Sequence, residues 1–252
     1  MTKKRPVLSY RSPPDLPHGA AARRGTDHVD MNNEVIVITG ASKGLGLALA
    51  RLFAHEGHSL IINARGDELD AVERELSQST EVVAVRGDVS EIAEEIAAAA
   101  LTRFGRVDVL INNASELGPS PMPLLLEHSW QSLERIFRVN VVAPIHLIQL
   151  LRPWTIVNIT SDAAVNAYPH WGGYGASKAA LEHVSRILAV EMPDVRVLVI
   201  DPGDMNTEMH RLAEPGVDLS RLPSAEEVAP KIVERIHGVG ERSLRFQVAA
   251  GA

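Results

Sequence analysis

Residues 174–178 read YGASK and bring a phenol, Tyr174, within one helical turn of an amine, Lys178. Tyrosine is a weak acid, with a free pKa of about 10. On a helix the two side chains would share a face, where the ammonium stabilises the phenolate and lowers the pKa of the phenol. Such a tyrosine could give a proton to a substrate oxygen. A surface ion pair has the same spacing, so the assignment depends on the rest of the chain.

The composition excludes several classes of function. A chain of 252 residues with a net charge of −7 lacks the basic face of most nucleic-acid-binding proteins. It has no cysteines, which removes disulfides and thiolate metal sites. No segment has the apolar length of a signal peptide or a membrane span. None of the histidines forms a pair at metal-ligand spacing, so we expect no metal site and a cytoplasmic protein without nucleic-acid or membrane partners.

Short apolar strands alternate with amphipathic helices from residue 34 onwards. Fully apolar strands joined by helices are typical of a parallel sheet that is covered on both faces. We therefore predict an α/β protein with a single doubly wound Rossmann-type parallel sheet of about seven strands and helices on both faces. The predicted strands are 35–39, 59–63, 81–85, 107–112, 155–159, 195–200 and 244–248. The predicted helices are 44–57, 67–78, 91–105, about 129–151, about 173–190 and about 225–237.

The first residues differ from the remainder. Residues 1–33 are rich in proline, arginine and glycine and have no apolar periodicity, which predicts a flexible N-terminal arm. Residues 34–252 are predicted to form the Rossmann-fold domain. Met31 stands just before the first strand, so the arm is either the product of an early start or a segment that covers a partner subunit.

The first predicted strand runs into TGASKGLG at 39–46, a glycine-rich turn that opens a helix. Gly40 would let the chain turn off the strand, Gly44 would admit a pyrophosphate close to the backbone, and Gly46 would let the helix pack against the sheet. The free N–H groups and positive dipole end of that helix would bind the phosphates. An ordinary strand–helix turn is the alternative, although three glycines in this arrangement favour a dinucleotide site.

The second predicted strand ends in Asn-Ala-Arg, at the position where dinucleotide-binding folds contact the adenosine ribose. An acidic residue here binds the 2′-hydroxyl of NAD, whereas an arginine accommodates the 2′-phosphate of NADP. Arg65 occupies the tip, Lys43 can reach the same region, and the first carboxylate is that of Asp67. This favours NADP(H), with NAD(H) and a merely solvated Arg65 as the alternatives. Asp88 could bond the adenine amino group or cap the next helix.

The order of these motifs resembles that of the short-chain dehydrogenase/reductase family over residues 34 to about 210. T-G-x-x-x-G-x-G is followed by Asn112-Asn113-Ala114 after the fourth strand, by a serine after the fifth strand and by Tyr174-x-x-x-Lys178. The glycine spacing resembles that of the compact reductase subgroup. The resemblance implies an NAD(P)-dependent enzyme that acts on CH–OH or C=O groups of a small molecule.

The resemblance also implies which residues form the site. The catalytic set would be Asn140, Ser161, Tyr174 and Lys178. Besides Tyr174 and Lys178, the implied cofactor contacts are Gly40, Ser42, Lys43, Gly44, Leu45, Gly46, Arg65, Asp88, Val89, Asn113, Ala114, Pro202, Gly203 and Thr207. The last three belong to a loop that is similar to the one closing over the nicotinamide in this family.

Each implied catalytic residue has a role in carbonyl chemistry. Ser161 would hold the substrate oxygen, and Tyr174 would give it a proton as hydride adds to the carbon. Lys178 would lower the pKa of the phenol and also bond the nicotinamide ribose. Asn140 would hold a water that connects the lysine to solvent. The small residues at 175–177 would leave room for the cofactor.

Two features depart from the family pattern. Ser115 stands where the family usually has glycine, and we expect the loop to tolerate it because the residue is small. Asn140 and Ser161 are 21 positions apart, fewer than is common, because the segment before Thr155 is shortened. The helix that ends there commonly forms the dimer interface, so the resemblance implies a homodimer or a homotetramer without deciding between them.

The segment after the nicotinamide loop points to the substrate. Residues 208–223 are predicted to form a short loop with four large apolar residues, which indicates an apolar pocket: Met209, Leu212, Leu219 and Leu222. The stretch 195–210 is also similar to that of sepiapterin and diketone reductases, over a short length.

These observations lead to one predicted function and two alternatives. We expect an NADPH-dependent oxidoreductase that transfers hydride between nicotinamide and a carbonyl or secondary alcohol, with Tyr174 as the acid/base. An NAD-linked alcohol dehydrogenase is one alternative. A non-catalytic NADP-binding regulator is the other, and the presence of all four catalytic residue types disfavours it.

Overall fold

The computed structural model describes residues 33–238 and 243–248, so the predicted arm lies outside the described residues apart from Asn33. The described part forms one parallel sheet of strands β1 (Val35–Thr39), β2 (Ser59–Ala64), β3 (Val82–Arg86), β4 (Val109–Asn112), β5 (Thr155–Ile159), β6 (Arg196–Asp201) and β7 (Ser243–Gln247). Their order across the sheet is β3-β2-β1-β4-β5-β6-β7. The predicted doubly wound Rossmann-type sheet is confirmed.

Helices cover both faces of this sheet. They are α1 (Gly44–His55), α2 (Glu68–Leu76), α3 (Ala93–Phe104), α4 (Trp130–Phe137), α5 (Ala143–Leu151), α6 (Gly172–Glu191), α7 (Glu208–Ala213) and α8 (Ala225–His237). One apolar core packs α1, α2 and α8 on the sheet around Phe53, and the other packs α3 and α5 around Leu147. None of the described helices is both long enough and apolar enough to cross a membrane.

The central strand, β1, shows why a short run of β-branched apolar residues forms a strand in this sheet. β1 reads VIVIT and is buried at every residue, because strands flank it on both sides and helices cover both of its faces. Val37 pairs with Ile61 of β2 and with Leu110 of β4. β-branched side chains pack well on such a pleated, two-sided surface.

The helix predicted over about 129–151 is interrupted. A π-helical turn over Arg138–Val142 joins α4 to α5. Pro144 stands in the first turn of α5 and has no N–H, so it cannot bond the carbonyl of Asn140 as a regular helix would require. The missing bond accounts for the wider turn, which has Asn140 at its centre. The other predicted elements match those observed to within two residues at each end.

The carboxyl ends of the strands define the functional edge. The chain passes from β1 to β2 and β3 on one side and later to β4 through β7 on the other, so the strand order reverses between β1 and β4. In doubly wound sheets, ligands bind in the crevice outside the strand ends at this point. The loops after β1, β4, β5 and β6 carry most of the predicted site residues.

Candidate active site

A cavity of about 560 Å³ opens at this edge of the sheet. It brings together nearly all residues that the sequence predicts to bind a cofactor or to react. They are Gly40, Ser42, Lys43, Gly44, Leu45, Arg65, Asp88, Val89, Asn113, Ala114, Ser161, Tyr174, Lys178, Pro202, Gly203 and Thr207. Gly46 and Asn140 do not line the cavity, and their positions indicate different roles.

The loop after β1 has the tight geometry that its glycines predict. Gly40 has a φ of 68°, and Asn113 in the loop after β4 donates from Nδ2 to the Gly40 carbonyl at 3.1 Å. A Cβ on Gly46 would lie 2.2 Å from that same carbonyl oxygen. Gly46 therefore allows α1 to pack against the loop, as its position in the motif predicts, and its contact with the cofactor stays a prediction.

The N-terminus of α1 opens into the cavity without a side-chain cap. Its N-cap residue, Lys43, has an extended backbone and makes no capping hydrogen bond. Around the position of a Cβ on Gly44, the nearest atom is the Thr207 methyl carbon, 3.8 Å away. Uncapped helical N–H groups next to open space are what a pyrophosphate requires. The residues present therefore fit a dinucleotide cofactor.

Both cations that the sequence assigns to the 2′-phosphate have carboxylate partners. Lys43 Nζ lies 2.8 Å from Glu208 at the start of α7. Arg65 lies 3.4 Å from Glu116 and 3.9 Å from Asp88. The two cationic side chains are about two-thirds exposed, so these ion pairs are weak and a phosphate group could replace them.

Asp88 caps a turn rather than a helix. Its Oδ1 accepts the N–H of Ser90 at 2.9 Å in the turn before α3, whose N-cap is Ile92. Arg135 of α4 binds the other carboxylate oxygen. Burial alone would raise the pKa of Asp88, but the bonds from Arg135 and Ser90 outweigh it and lower the pKa. The helix-cap alternative is therefore wrong, and an adenine contact would share a carboxylate that Arg135 already binds.

Tyr174 and Lys178 lie on α6 with their side chains buried, 8% and 2% exposed. Lys178 Nζ donates to the carbonyl of Ile159, at the end of β5, at 2.8 Å and lies 5.6 Å from the centre of the Tyr174 ring. The hydroxyls of Ser115 and Ser161 line the cavity beside Tyr174 and lower the pKa of its phenol, while Ser161 Oγ donates to Oδ1 of Asp162 at 3.1 Å. An amine and three hydroxyls thus meet on the floor of the cavity.

Burial dominates the electrostatics of this floor. It raises the pKa of Tyr174 well above the usual value, against the hydrogen bonds of Ser115 and Ser161, which lower it. Burial also lowers the pKa of Lys178 to about 7. An amine that is charged only part of the time stabilises a phenolate less than a full ammonium does. The activation of Tyr174 by Lys178 stays a prediction, and the hydroxyls of Ser115 and Ser161 also lower the pKa of the phenol.

Asn140 lies behind the cavity wall, 1% exposed. Its Nδ2 donates to the carbonyl of Glu116 at 2.9 Å and to Ser177 Oγ at 2.8 Å. Its Oδ1 accepts from the N–H of Glu116 at 2.7 Å and from Ser115 Oγ at 3.2 Å. An amide side chain has two donors and two acceptor sites, and all are in use. The side chain therefore orders the loop after β4, and the water predicted for Asn140 stays a prediction.

The small residues at 175–177 do not line the cavity. A Cβ on Gly175 would lie 2.6 Å from the carbonyl oxygen of Ala163, two residues after Ser161. The Ser177 hydroxyl is buried and donates to a backbone carbonyl of its own helix at 2.6 Å. The prediction that these residues leave room for the cofactor is wrong. Gly175 leaves room for the segment that carries the reactive serine.

The part of the cavity beyond the phenol is apolar. The residues that line it belong to a small apolar cluster: Leu117, Trp171, Tyr174, Met209 and Ala213. Met122 and Ala163 complete the cluster without lining the cavity. The rings of Trp171 and Tyr174 meet edge to face, with their centres 5.8 Å apart. An apolar pocket next to a proton donor suits a ketone with large hydrocarbon groups.

The segment predicted as a loop over 208–223 begins as a helix. Thr207 caps α7 by accepting the N–H of His210 at 3.3 Å, which is the standard N-cap arrangement. Met209 and Leu212 line the cavity as expected, whereas Leu219 and Leu222 do not. The pocket is thus apolar, but with only part of the predicted lining.

The last described strand contributes a cation to the site. Arg245 binds the carboxylates of Glu182 at 2.9 Å and Asp201 at 2.8 Å, and it donates to the backbone carbonyl of Ser161 at 3.3 Å. Glu182 also accepts from the hydroxyl of Thr160 at 2.9 Å. This network ties β5, β6 and β7 together directly behind the reactive serine.

Sequence reasoning missed several residues of the cavity wall. Glu116 and Arg135 line it and hold the charges around Arg65, but they belong to no motif. Ser115 was noted only as a departure from the family pattern. The sequence offered one indication that these residues belong to the site. Ser115 and Glu116 directly follow Asn-Asn-Ala, at the carboxyl end of β4 where the site forms.

A second polar cluster lies at the amino ends of the strands. Glu56, His58 and His237 each place one potential ligand atom within 4.8 Å of the others. No spacing in the sequence pairs these two histidines, but the fold brings His58, before β2, and His237, at the end of α8, together. His58 Nδ1 accepts the N–H of Glu34 at 3.2 Å, so its proton sits on Nε2, which faces Glu56. A protonated nitrogen does not ligate a metal, and we assign none to this cluster.

This cluster predicts that the protein loses stability as the pH falls below about 6.5. Burial lowers the pKa of His58, although neighbouring Glu56 raises it. Between the usual and the lowered pKa, the unfolded chain binds a proton that the folded chain does not, so acidification favours unfolding. Melting temperatures across this range should fall for the wild type and stay flatter for His58→Gln. An identical slope in both proteins would assign the effect to other groups.

Known proteins share this fold and site. A family model described as short chain dehydrogenase matches residues 34–217. The 3beta-hydroxysteroid dehydrogenase 1 of Eggerthella lenta is 34% identical over 218 residues, 80% of this chain and 81% of that protein. The (S)-benzoin-forming benzil reductase of Saccharomyces cerevisiae is 32% identical over 222 residues, with 80% and 81% covered. The solved alcohol dehydrogenase from Thermococcus sibiricus, complexed with 5-hydroxy-NADP, has a TM-score of 0.76 at 30% identity and covers 86% of this chain and 96% of its own.

The fold and the site define an oxidoreductase built on a dinucleotide-binding sheet. The chain belongs to the short-chain dehydrogenase/reductase family, whose members act on CH–OH and C=O groups of small molecules. The predicted family and enzyme class are thereby confirmed.

Proposed function

We propose that this protein is an NADPH-dependent carbonyl reductase, which in reverse oxidises the corresponding secondary alcohol. The observation that carries the proposal is the meeting of the Tyr174 phenol, the Ser161 hydroxyl and the Lys178 amine on the floor of one cavity. A dinucleotide bound at the N-terminus of α1 would supply the hydride. A non-catalytic NADP-binding regulator does not require these groups, which disfavours that alternative.

The chain's own residues account for the proton chemistry. Ser161 holds the carbonyl oxygen by a hydrogen bond, and Tyr174 donates its proton to that oxygen. Because burial raises the pKa of Tyr174, the phenol is protonated at neutral pH and ready to act as the acid in reduction. Lys178 is fixed by the Ile159 carbonyl at 2.8 Å, where it can bond a ribose hydroxyl.

We propose a bulky apolar ketone or diketone as the substrate. The wall beyond the phenol supports this, because Leu117, Trp171, Met209 and Ala213 offer hydrocarbon surface. The names of two relatives point the same way, since one is a hydroxysteroid dehydrogenase and the other a benzil reductase. Steroids and benzil are both largely hydrocarbon molecules.

We propose NADP(H) as the preferred cofactor. Arg65 and Lys43 support this choice, and so does the similar alcohol dehydrogenase complexed with 5-hydroxy-NADP. NAD(H) is the second candidate, because Glu116 and Asp88 stand beside Arg65 and could accept a bond from a ribose 2′-hydroxyl.

Two measurements test the function directly. Purified protein would be screened against aromatic diketones, steroid ketones and small polar ketones, following the absorbance of NADPH. We expect turnover with the first two groups and little with the third. Binding of NADPH without turnover on any ketone, or on any alcohol with NADP⁺, would favour the regulator. Tighter binding of NADH than of NADPH would overturn the cofactor assignment.

Arg65→Ala should weaken NADPH binding roughly tenfold to a hundredfold and leave NADH binding nearly unchanged, because only NADPH has the 2′-phosphate that the guanidinium would bind. Fluorescence titration of both cofactors measures this. Arg74→Ala is the matched control, since Arg74 lies on nearby α2 and does not line the cavity. Equal weakening of both cofactors would show that Arg65 does not discriminate between them.

We further propose that residues 34–252 form one domain that assembles as a homodimer or homotetramer. Exposed apolar side chains at Ile187 and Val190 on α6 support an interface there. The shortened segment leaves the sheet intact, because β5 keeps its parallel register with β4. Light scattering over a range of protein concentrations gives the assembly state.

A further inference from the structure

Arg245 connects β7, the last described strand, to three segments around the reactive site. Its Nε donates to Glu182 on α6 at 2.9 Å. One terminal nitrogen donates to Asp201, at the end of β6, at 2.8 Å and to the carbonyl of Ser161, after β5, at 3.3 Å. A guanidinium is planar and presents its donors in a rigid fork. Arg245 therefore fixes these three segments relative to one another.

The segment that carries the reactive serine is held at three consecutive residues, 159–161. Lys178 bonds the carbonyl of the first at 2.8 Å, Glu182 the hydroxyl of the second at 2.9 Å, and Arg245 the carbonyl of the third at 3.3 Å. Lys178 and Glu182 are one turn apart on α6, the helix that also carries the phenol. Arg245 adds a tie from β7 to the residue whose hydroxyl reacts.

Asp201 carries the effect of Arg245 to the loop after β6. Its carboxylate lines the cavity, and Oδ1 accepts the N–H of Gly203 at 3.0 Å while Oδ2 binds Arg245. Pro202 and Gly203 begin the loop that is predicted to close over the nicotinamide. The same guanidinium thus supports the segment of the reactive serine and the predicted nicotinamide loop.

We propose that Arg245 is a positioning residue of the reaction, which holds Ser161 and the loop after β6 in place against the phenol of Tyr174. The inference rests on the proposed function. Arg245 does not line the cavity, so it acts through its partners. Because the Ser161 hydroxyl bonds the substrate oxygen most strongly as charge develops there, a displaced hydroxyl slows the chemical step more than it weakens substrate binding.

The burial of its partners determines which substitution is informative. Glu182 and Asp201 are 4% and 1% exposed. A neutral residue at position 245 would leave both buried carboxylates without this cation and would endanger the fold. Lysine keeps the charge, but its single ammonium cannot reproduce the planar fork. Arg245→Lys therefore separates the geometry of the side chain from its charge.

Arg245→Lys tests the proposal, with Arg196→Lys as the matched control. Arg196 lies at the start of β6, does not line the cavity and donates to the carbonyls of Arg235 and Ile236 at the end of α8. Both variants thus lose an arginine fork that ties a strand to other elements. We expect Arg245→Lys to lower kcat for ketone reduction about tenfold to a hundredfold and to change KM less than about threefold. Arg196→Lys should change neither constant by much.

The kinetic outcomes separate positioning from general stability. An unchanged kcat in Arg245→Lys, or an equal fall of kcat in both variants, would overturn the proposal. If Arg245→Lys gives no folded protein, Asp201→Asn takes its place, because its amide can keep an oxygen towards Gly203 while its nitrogen faces Arg245. We expect the same fall in kcat, and an unchanged kcat there would also overturn the proposal.

A second readout needs neither substrate nor cofactor. Hydrogen exchange followed by mass spectrometry should be faster in peptides covering residues 159–164 and 200–204 of Arg245→Lys than in the wild type or in Arg196→Lys. Unchanged exchange in these peptides would reject the positioning role even if no ketone were reduced. Faster exchange, together with a wild type that reduces no ketone, would support the network and count against the proposed function instead.

Discussion

Tyr174→Phe is expected to abolish measurable ketone reduction and to leave NADPH binding nearly unchanged. The substitution removes the phenol that we propose protonates the carbonyl oxygen, and a general acid contributes roughly 10²–10⁴-fold to a rate. The phenyl ring fits the same space, since only one oxygen is lost from a side chain that is 8% exposed. Turnover by NADPH absorbance and affinity by fluorescence titration measure the two effects separately.

The chain offers a matched control in Tyr168. Its side chain is 44% exposed and does not line the cavity, and its hydroxyl donates at 2.7 Å to Oδ2 of Asp162, the oxygen that Ser161 does not use. Tyr168→Phe should keep most of the activity. If Tyr174→Phe retained more than about one tenth of the wild-type rate, Tyr174 would have to be removed from the role of acid.

Gly175→Ala is expected to reduce kcat about a hundredfold and also to destabilise the fold by about 1–3 kcal/mol. The new Cβ would lie 2.6 Å from the carbonyl oxygen of Ala163, and backbone on both sides of this contact must separate. One side of the contact carries Tyr174 and the other follows Ser161. The separation therefore moves the phenol that donates the proton away from the hydroxyl that binds the substrate oxygen. Kinetics and thermal unfolding, measured on the same samples, report the two consequences.

The adjacent position supplies the control for this prediction. Ala176 is exposed on the same helix, so Ala176→Ser adds one atom at the same turn without touching the serine segment. It should change neither kcat nor stability by much. Equal loss in both variants would mean that α6 tolerates no addition, and the specific contact with Ala163 would not be the cause.

The sequence predicted the framework of the site well. Apolar β-branched runs such as VIVIT, bounded by glycine, placed the strands to within two residues. Because parallel strands end at one edge, motifs after β1, β4 and β5 had to meet there, and Tyr174 joins them from α6. Spacing and topology together were enough to predict which functional groups share a cavity.

The contacts within the cavity wall could not be predicted in the same way. The side chain of Asn140 is saturated because a π-helical turn and the loop after β4 surround it, and no spacing shows this. The pKa of Tyr174 is raised because the side chain is buried, and burial is a property of the packed structure. The partners of Arg65 come from α4 and two loops that carry no motif. Local patterns predict elements, whereas these interactions arise only when the elements meet.

The position of Arg245 has a consequence for biosynthesis. Its partners Ser161 and Asp201 precede it by 84 and 44 residues, and its strand is the last one described. A chain leaves the ribosome from its N-terminus, so α8 and β7 are the last described elements to emerge, and both the core on α1 and the support of Ser161 stay incomplete until then. We therefore expect a nascent chain to acquire nucleotide binding and catalytic activity together, once β7 has left the ribosome.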